Sequence, residues 1–347
     1  MHERFDASRV DWLPVLSRLG VSNNFLERPH TSKPCPMHPQ NGKTKFRFFK
    51  PAESGRWVCN DCGTGDGIDL LQRINGWSFV EAKSAINGTP IEQRSRVQTE
   101  PSAADLARAA KERNRRFEQM RKWWREAVPV NSANAAGRYL SNRIPKLVFA
   151  ALGADLRCAK GLAFFVEGTE HDTYQKVATY PALIALFRDV AGEVKMMHRI
   201  FLTSDGRKAP VESPKKMYTP EWKNGCAVRI GDVDARRTVI GVTEGIETAI
   251  AVFTGCHGRF PIWAAGSEHN VRHLDVPDDV QTVHIFADHN AATIAHPKGV
   301  GLEAAEALAK KLRTQGKKVV IHLAKKPGTD HLDEWVELVA SREMQAA

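Results

Sequence analysis

Four side chains near the N-terminus have the types and spacing of a zinc site. Cys35 and His38 form a C-x2-H pair, and Cys59 and Cys62 form a C-x2-C pair further along the chain. Each pair offers two ligands from one tight turn, and two such pairs fill a tetrahedral Zn²⁺ site. Because no coordination position is left for water, we expect this zinc to be structural and to supply much of the folding free energy of a small module.

Basic and aromatic residues alternate between the two pairs of zinc ligands. The stretch KTKFRFFKPAESGRW contains Lys45 and Arg47 among phenylalanines and ends at Trp57. In a strand, this alternation places the cations and the rings on different faces. Cations hold phosphates and rings stack on unpaired bases, so we expect Lys45, Arg47 and Trp57 to contact single-stranded DNA. For Phe48 and Trp57, packing inside the module is an equally open interpretation.

Polar groups recur in the C-terminal third of the chain, and most of them directly follow an apolar segment. The carboxyl ends of parallel strands share one edge of a sheet, where ligand sites open. Carboxylates crowded at that edge need cations to offset their repulsion, and oxygen ligands suit Mg²⁺ or Mn²⁺. Each acid alone is also explained as a helix N-cap or an exposed loop charge. The candidate ligands are Glu244, Glu247, Asp288, Asn290, Asp330 and Asp333.

Apolar segments of strand and helix type must position these acids. From about residue 236, TVIGVTEG, IETAIAVFTG, TVHIFADHN, GLEAAEALAKKLRTQG and KVVIHLA alternate between the two types, which predicts a small parallel sheet flanked by helices. Upstream, YPALIALFRD and VKMMHRIFLT predict a hairpin that turns at 190–193. Helical patterns cover 67–88 and 104–128, and the polar segment 89–103 predicts a linker.

The composition limits the class of protein. A chain of 347 residues suits two or three domains, and its formal net charge of +10 favours polyanionic partners. The sequence has no apolar run of membrane-spanning length and no signal-peptide core, so we expect a cytoplasmic protein without a membrane partner. In that reducing compartment the cysteine cluster indicates metal rather than disulfides. The phosphate-loop pattern GxxxxGK[ST] is absent, which argues against a fused helicase motor.

Taken together, these motifs resemble the bacterial-type primases of phages and plasmids. The segment from Cys35 through GTGDGIDLLQRINGWSFVEA resembles their Cys-His-Cys-Cys zinc-binding domain, and EGIET resembles the glutamate motif of their Toprim domain. ADHN stands where that family has its D-x-D motif, and GRYLSNRI, YPALIAL, HRIFLTSDGRKA, PKKM and PGTDHLDEW are also similar. The resemblance covers about residues 10 to 337.

The resemblance implies an α+β multidomain protein. Its parts would be an N-terminal zinc ribbon, a basic α+β subdomain and a Toprim α/β core with a Rossmann-like parallel sheet. The expected boundaries are 1–88 for the zinc-ribbon domain with flanking helices, 89–128 for the linker and a charged helix, 129–235 for the basic subdomain and 236–340 for the Toprim domain.

The function that the resemblance implies is synthesis of short RNA primers on single-stranded DNA from ribonucleoside triphosphates. Glu244, Asp288 and Asn290 would be catalytic, with two Mg²⁺ or Mn²⁺ ions, and the ribbon would hold one structural zinc. A separate replicative helicase stays open as a partner. Residues of the basic subdomain would bind nucleotides and template: Lys195, Arg199, Lys208 and Lys216.

One departure from the family pattern keeps alternatives open. The pattern has a carboxylate where this chain has Asn290, whose amide oxygen contributes no charge. One metal then binds more weakly, or Asp330 or Asp333 compensates, or the chain is catalytically impaired. The alternative functions are a Toprim nuclease or topoisomerase-like strand-cleaving enzyme, and a zinc-ribbon protein that binds single-stranded DNA without turnover.

Overall fold

The computed structural model describes residues 10–37, 46–59, 63–88, 103–167, 174–221, 223–231, 238–293 and 296–346. The chain divides into two compact units, one of 1–102 with 293–297 and one of 103–292 with 298–347. In the described ranges, none of the helices combines the length and apolar character needed to cross a membrane. Each unit mixes helices with β-sheet.

The first unit contains a small antiparallel sheet with helices on either side of it in the sequence. Its strands are β1 (Phe46–Phe48), β2 (Trp57–Cys59) and β3 (Gly63–Gly65), and its helices are α1 (Trp12–Arg18), α2 (Asn23–Leu26), α3 (Gly67–Asn75) and α4 (Phe79–Asn87). The predicted helical segment 67–88 is therefore two helices. It breaks at Gly76, which has a left-handed φ of 68°, and α4 starts afresh from a capping box made by Ser78 and Glu81.

The core of the first unit is aromatic. Phe46 stacks on Trp57 with ring centroids 5.6 Å apart, and the Trp57 indole N–H donates to the Asp66 carbonyl at 2.8 Å. Strand β1 is buried at Phe46 and Phe48 and exposed at Arg47, which confirms the predicted alternation. Trp57 is 0% exposed, so the prediction that its ring stacks on DNA is wrong and the packing alternative is correct.

The N-terminal half of the second unit is an antiparallel sheet. Helix α5 (Ala103–Glu126) precedes this sheet in the sequence, and helix α6 (Ala135–Arg143) lies between its first and second strands. The strands follow the order β4-β5-β6-β7-β8, so each pairs with its neighbour in the sequence, and the predicted hairpin is β6–β7. They are β4 (Val128–Pro129), β5 (Leu156–Glu167), β6 (Tyr174–Arg188), β7 (Val194–Phe201) and β8 (Lys215–Tyr218).

The C-terminal half of this unit is the predicted parallel sheet flanked by helices. Its strand order is β13-β12-β10-β11-β9, and only β9 runs antiparallel to its neighbour. The sequence pattern missed β11 and β9 because three residues are too few to show a period. The strands are β9 (Val228–Ile230), β10 (Val239–Thr243), β11 (Ile262–Ala264), β12 (Thr282–Ala287) and β13 (Lys318–Leu323), and the helices are α7 (Ile246–Gly255), α8 (Glu268–His273), α9 (Val300–Thr314) and α10 (His331–Ala346).

An ion pair between a buried carboxylate and an exposed lysine joins the two halves of the second unit. Glu247 of α7 is 4% exposed, and its Oε1 accepts hydrogen bonds from the Tyr139 hydroxyl of α6 at 2.6 Å and from Lys215 Nζ of β8 at 2.9 Å. Burial alone would raise the pKa of Glu247, but the charge of Lys215 and the two hydrogen bonds lower it to about 2. The structure thus corrects the predicted metal role of Glu247, because Lys215 already neutralises this carboxylate.

We expect Glu247→Gln to destabilise the protein by about 1–3 kcal/mol at pH 7, because Lys215 loses its counter-ion. The folded pKa of about 2 lies below the ordinary glutamate pKa of 4.5 that applies to the unfolded chain. The stabilisation is therefore complete above the unfolded pKa and is lost as the pH falls towards the folded pKa. Urea unfolding of wild type and variant between pH 7 and pH 3 should show their difference shrinking with acid.

Tyr139→Phe is the matched control, because it removes one hydrogen bond to the same oxygen and leaves the charges in place. It should cost about 1 kcal/mol, with little dependence on pH over that range. A Glu247→Gln cost that is the same at pH 7 and pH 3 would contradict the ion-pair account.

Candidate functional site

Two of the predicted acids meet at one edge of the parallel sheet. Glu244 follows β10 and Asp288 follows β12, and these strands are hydrogen-bonded neighbours. Both side chains line a small pocket together with Glu268, the first residue of α8. The remaining lining comes from Thr243 of β10, Val271 of α8 and apolar residues of β12 and α9, so the acids enter a largely apolar environment.

Burial and repulsion from neighbouring acids disfavour the charged forms of Glu244 and Asp288. Burial raises the pKa of Glu244 to about 8, and the charges of Asp288 and Glu268 add to the effect. Burial also raises the pKa of Asp288 to about 7, with further increases from Asp330 and Asp333. Near neutral pH the pocket therefore holds protons that a cation could replace.

The donor set of this pocket fits a hard divalent cation. Asp288 Oδ1 is shielded from solvent and has no hydrogen-bond partner within the described part of the chain. A buried carboxylate oxygen without a donor is costly, and a bound cation removes that cost. Carboxylate oxygens are the ligands that Mg²⁺ and Mn²⁺ prefer. In the described ranges, no set of three or more His, Cys, Asp or Glu side chains is already arranged to hold a metal ion.

Asn290 has a structural contact of its own. Its Oδ1 accepts a hydrogen bond from the backbone N–H of Gly301 in the first turn of α9, at 2.8 Å. Gly301 permits this approach, since a Cβ there would lie 2.6 Å from that oxygen and 2.5 Å from the Asp288 carbonyl oxygen. The amide oxygen of Asn290 thus stabilises the start of α9, and its role as a metal ligand stays a prediction.

Asp330 directly precedes α10, and Asp333 lies in its first turn. Asp330 Oδ1 accepts from the backbone N–H groups of Leu332 and Asp333, and Asp333 Oδ2 accepts in return from the Asp330 N–H at 3.1 Å. The other oxygen of Asp330 accepts from the Thr248 hydroxyl at 3.0 Å. These acids therefore cap a helix, as the alternative interpretation held, and their charges also act on Asp288.

Two of the predicted nucleic-acid contacts belong to the protein interior or to ion pairs. The guanidinium of Arg199 lies 5.3 Å from the ring centroids of Trp123 and Tyr218, and burial lowers its pKa to about 10. Lys195 is paired with Glu193 at 2.8 Å and with Asp189 at 3.8 Å, and its side chain is 15% exposed. The structure therefore gives Arg199 and Lys195 packing and ion-pairing roles.

The other two predicted contacts, Lys216 and Lys208, lie in different environments. Lys216 Nζ lies over the Phe164 ring at 5.6 Å. Lys208 is exposed, and burial of part of its side chain and the nearby charges of Lys215 and Arg143 lower its pKa. Because Lys215 also acts on Glu244, these cations form a basic cluster beside the acidic pocket, defined as Arg143, Lys208 and Lys215.

Sequence reasoning did not single out Lys215 or Glu268 as site residues. Lys215 adjoins the predicted Lys216, and only the pairing of β8 decides which of the two turns towards Glu247. Glu268 follows the very short strand β11, so the rule that acids at strand ends share an edge could not be applied to it.

The predicted zinc ligands are described only in part. Cys35 and Cys59 are buried in the first unit, at 0% and 1% exposure. His38 and Cys62, and the predicted DNA contact Lys45, lie outside the described residues. Burial of two thiols among aromatic rings agrees with a site closed to solvent.

Three family profiles match the sequence. Residues 30–68 match the zinc-binding domain of primase-helicase, and residues 239–337 match the Toprim domain. Residues 114–230, between them, match a domain of unknown function, DUF7146.

Solved structures of primases are similar to this chain at low identity. The Aquifex aeolicus primase, with its zinc-binding and RNA polymerase domains, is 16% identical, with a TM-score of 0.41 over 91% of this chain and 77% of that chain. The primase fragment of the bacteriophage T7 primase-helicase is 17% identical, with a TM-score of 0.35 over 55% of this chain and 65% of that chain. A DNA primase domain from Pseudomonas aeruginosa is 17% identical, with a TM-score of 0.33 over 52% and 56%.

The zinc-binding profile covers the Cys-His-Cys-Cys motif, and the Toprim profile covers both strands that carry Glu244 and Asp288. The family resemblance seen in the sequence is thereby confirmed. The chain combines the zinc ribbon of primases with a Toprim domain.

Proposed function

We propose that this protein is a DNA-dependent RNA primase that joins ribonucleotides on a single-stranded DNA template. The observation that carries this proposal is the pocket at the carboxyl edge of the parallel sheet, where Glu244 and Asp288 meet and Asp288 Oδ1 has no partner among the described residues. The zinc ribbon and Toprim matches support the same assignment.

Divalent metal, when bound, would activate a primer 3′-hydroxyl and offset the charge of the incoming triphosphate. Glu244 and Asp288 would hold it, with Asp330 close by. Before binding, Glu244 and Asp288 must release the protons that their raised pKa values retain near neutral pH. Asn290 would contribute indirectly, by fixing the start of α9 beside the pocket.

The basic cluster of Arg143, Lys208 and Lys215 would receive phosphates of the nucleotide. Lys215 is held in place by Glu247, whose position is fixed in turn by Tyr139. A positioned ammonium group next to the acidic pocket can neutralise phosphate charge without reorganising during the reaction. Glu247, which the sequence predicted to be a metal ligand, would thus serve to position Lys215.

The zinc ribbon would hold single-stranded template and one structural zinc. Arg47 is exposed on β1, on the face opposite to the buried phenylalanines, where it can contact phosphate. The substrates would be ribonucleoside triphosphates and the location would be cytoplasmic, while a separate replicative helicase stays open as a partner.

The alternative of DNA binding without turnover draws on one observation, the engaged amide of Asn290 in place of a carboxylate. The strand-cleaving alternative has less support. The hydroxyl of Tyr139 is bonded to Glu247, and Tyr180 and Tyr218 pack against other rings.

We expect the wild-type protein to make template-dependent RNA primers with Mg²⁺ or Mn²⁺, measured with labelled ribonucleotides on single-stranded DNA. Asp288→Asn should lower the rate by about 100-fold or more, because several kcal/mol of metal-dependent charge stabilisation are lost. The matched control is Asp279→Asn, which removes an exposed carboxylate just before β12, at the opposite edge of the same sheet, and should leave the rate unchanged.

The primase proposal would be rejected if neither wild type nor Asn290→Asp makes primers although both bind zinc and single-stranded DNA. That outcome would support the binding protein. Nicking or relaxation of supercoiled plasmid by wild type would support the strand-cleaving enzyme instead.

The affinity of the site for a divalent metal ion should fall as the pH is lowered. Because Glu244 and Asp288 have pKa values of about 8 and about 7 without metal, lowering the pH keeps them protonated and weakens binding. We expect the apparent Mn²⁺ affinity to fall by about tenfold or more from pH 8.5 to pH 6. Titration calorimetry in two buffers of different ionisation enthalpy would count the released protons. Binding that is independent of pH and releases none would contradict these pKa directions.

Single-stranded DNA binding should depend on Arg47. Arg47→Ala should weaken it and reduce the slope of log affinity against log salt by about 0.7, as expected for one lost phosphate contact. Arg18→Ala is the control, because it removes the same charge from the exposed face of α1 rather than from the ribbon sheet. Equal effects of the two substitutions, measured by fluorescence anisotropy, would argue against a specific role of β1.

A further inference from the structure

A groove of about 780 Å³ lies between helix α5 and the β6–β7 hairpin. Helix α5 covers the face of the antiparallel sheet that carries Ile184 and Leu186, whereas Leu183 and Ala185 of the same strand pack towards the parallel sheet. The antiparallel sheet therefore separates this groove, which we call the α5 groove, from the half of the unit that holds the acidic pocket.

One side of α5 presents cations and aromatic rings in alternation to the α5 groove. Arg113, Phe117, Arg121 and Arg125 follow one another at intervals of four residues, which places them on one side of the helix. Trp124 also lines the groove and is half-buried, as Phe117 is. With a rise of about 1.5 Å per residue, the row from Arg113 to Arg125 is about 18 Å long. The helix thus offers an extended strip rather than a site for one small molecule.

The groove has an excess of positive charge. Five cations and two carboxylates line it, and both carboxylates are already paired. Lys195 lies 2.8 Å from Glu193 and 3.6 Å from Glu221, and Arg113 lies 3.9 Å from Glu221. The charge that remains on the groove suits a polyanion.

Two cations in the last turns of α5 are accessible to such a partner. The side chain of Arg121 is 61% exposed, and its ion pair joins it to an equally exposed Glu118 one turn away. Exposed pairs of this kind contribute little to stability, so a phosphate can displace the carboxylate. Arg125 is exposed one turn further along the same side of the helix.

We propose that the α5 groove binds single-stranded DNA, as a second contact besides the zinc ribbon. Phe117 and Trp124 stack on unpaired bases, and the arginines between and beside them hold the phosphates. Duplex DNA fits less well, because its bases stack on one another and present no free faces to the rings. The choice of DNA as the polyanion rests on the proposed function, but binding can be measured without any reaction.

The test is binding of a fluorescein-labelled single-stranded oligodeoxynucleotide to the zinc-loaded full chain, followed by anisotropy at several salt concentrations. Arg121→Ala/Arg125→Ala should weaken binding by about fivefold or more. It should also reduce the slope of log affinity against log salt by about 1.4, as expected for two lost phosphate contacts.

The matched control is Arg115→Ala/Lys122→Ala, which removes two charges from the opposite side of the same helix. Arg115 is also exposed and pairs with a glutamate three positions before it, Glu112 at 2.8 Å, as Arg121 does with Glu118. All four substituted positions are exposed, so both double variants should melt as wild type does. Equal losses of DNA affinity in the two double variants overturn the proposal.

Photocrosslinking locates the strand on the protein. An oligodeoxynucleotide that contains 5-bromodeoxyuridine should crosslink to the α5 peptide with Phe117 and Trp124, identified by mass spectrometry. Unlabelled single-stranded DNA should compete for this crosslink much better than duplex DNA or polyglutamate of equal charge, because only unpaired bases stack on the rings. Equal competition by polyglutamate, which would indicate an acidic protein partner, or the absence of an α5 crosslink, overturns the proposal.

Primer synthesis measured on the same samples separates the two proposals. Primers from wild type together with unchanged DNA binding by Arg121→Ala/Arg125→Ala reject the role of the α5 groove alone. DNA binding that depends on Arg121 and Arg125, without primers from wild type, rejects the primase function and supports the groove as a binding site.

Discussion

The second unit depends on an electrostatic constraint at the carboxyl edge of its parallel sheet. Glu244 and Asp288 are half-buried there at the ends of adjacent strands, where burial and the charges of neighbouring acids raise the pKa of both groups. A fold keeps such groups together only if protons or an external cation offset the repulsion. The surrounding elements therefore hold two acids whose charges a proton or a cation must offset, which supports the proposed metal-dependent function.

The antiparallel sheet contributes by bringing positive charge to the same place. Lys215 of β8 reaches Glu247 of α7, and Tyr139 of α6 donates to the same oxygen. Two carboxylates three positions apart thus have opposite environments, since the pKa of Glu247 is about 2 and that of Glu244 is about 8. Glu247 is paired with the ammonium group of Lys215, whereas the charged form of Glu244 is disfavoured.

Helix capping explains the remaining polar residues near the pocket. Asn290 binds the first turn of α9, and Asp330 with Asp333 closes the first turn of α10. The positive ends of these helices favour oxygen atoms, which satisfy backbone N–H groups that have no partner inside the helix. The candidate metal ligands predicted from the sequence are thereby divided between the acidic pocket and the helix ends.

The sequence by itself determined the classes of structure and the edge of the parallel sheet at which Glu244 and Asp288 lie. Apolar runs followed by polar groups located Glu244 and Asp288 at strand ends, and the Cys-His-Cys-Cys spacing with alternation in β1 defined the ribbon. These features are local, because they depend on periods of a few residues. Only the tertiary structure decided that Trp57 and Arg199 pack among rings, that Glu247 pairs with Lys215, and that Glu268 joins the pocket. Those outcomes depend on partners that are distant in the chain, as Tyr139 is from Glu247 by 108 positions, and no local pattern records them.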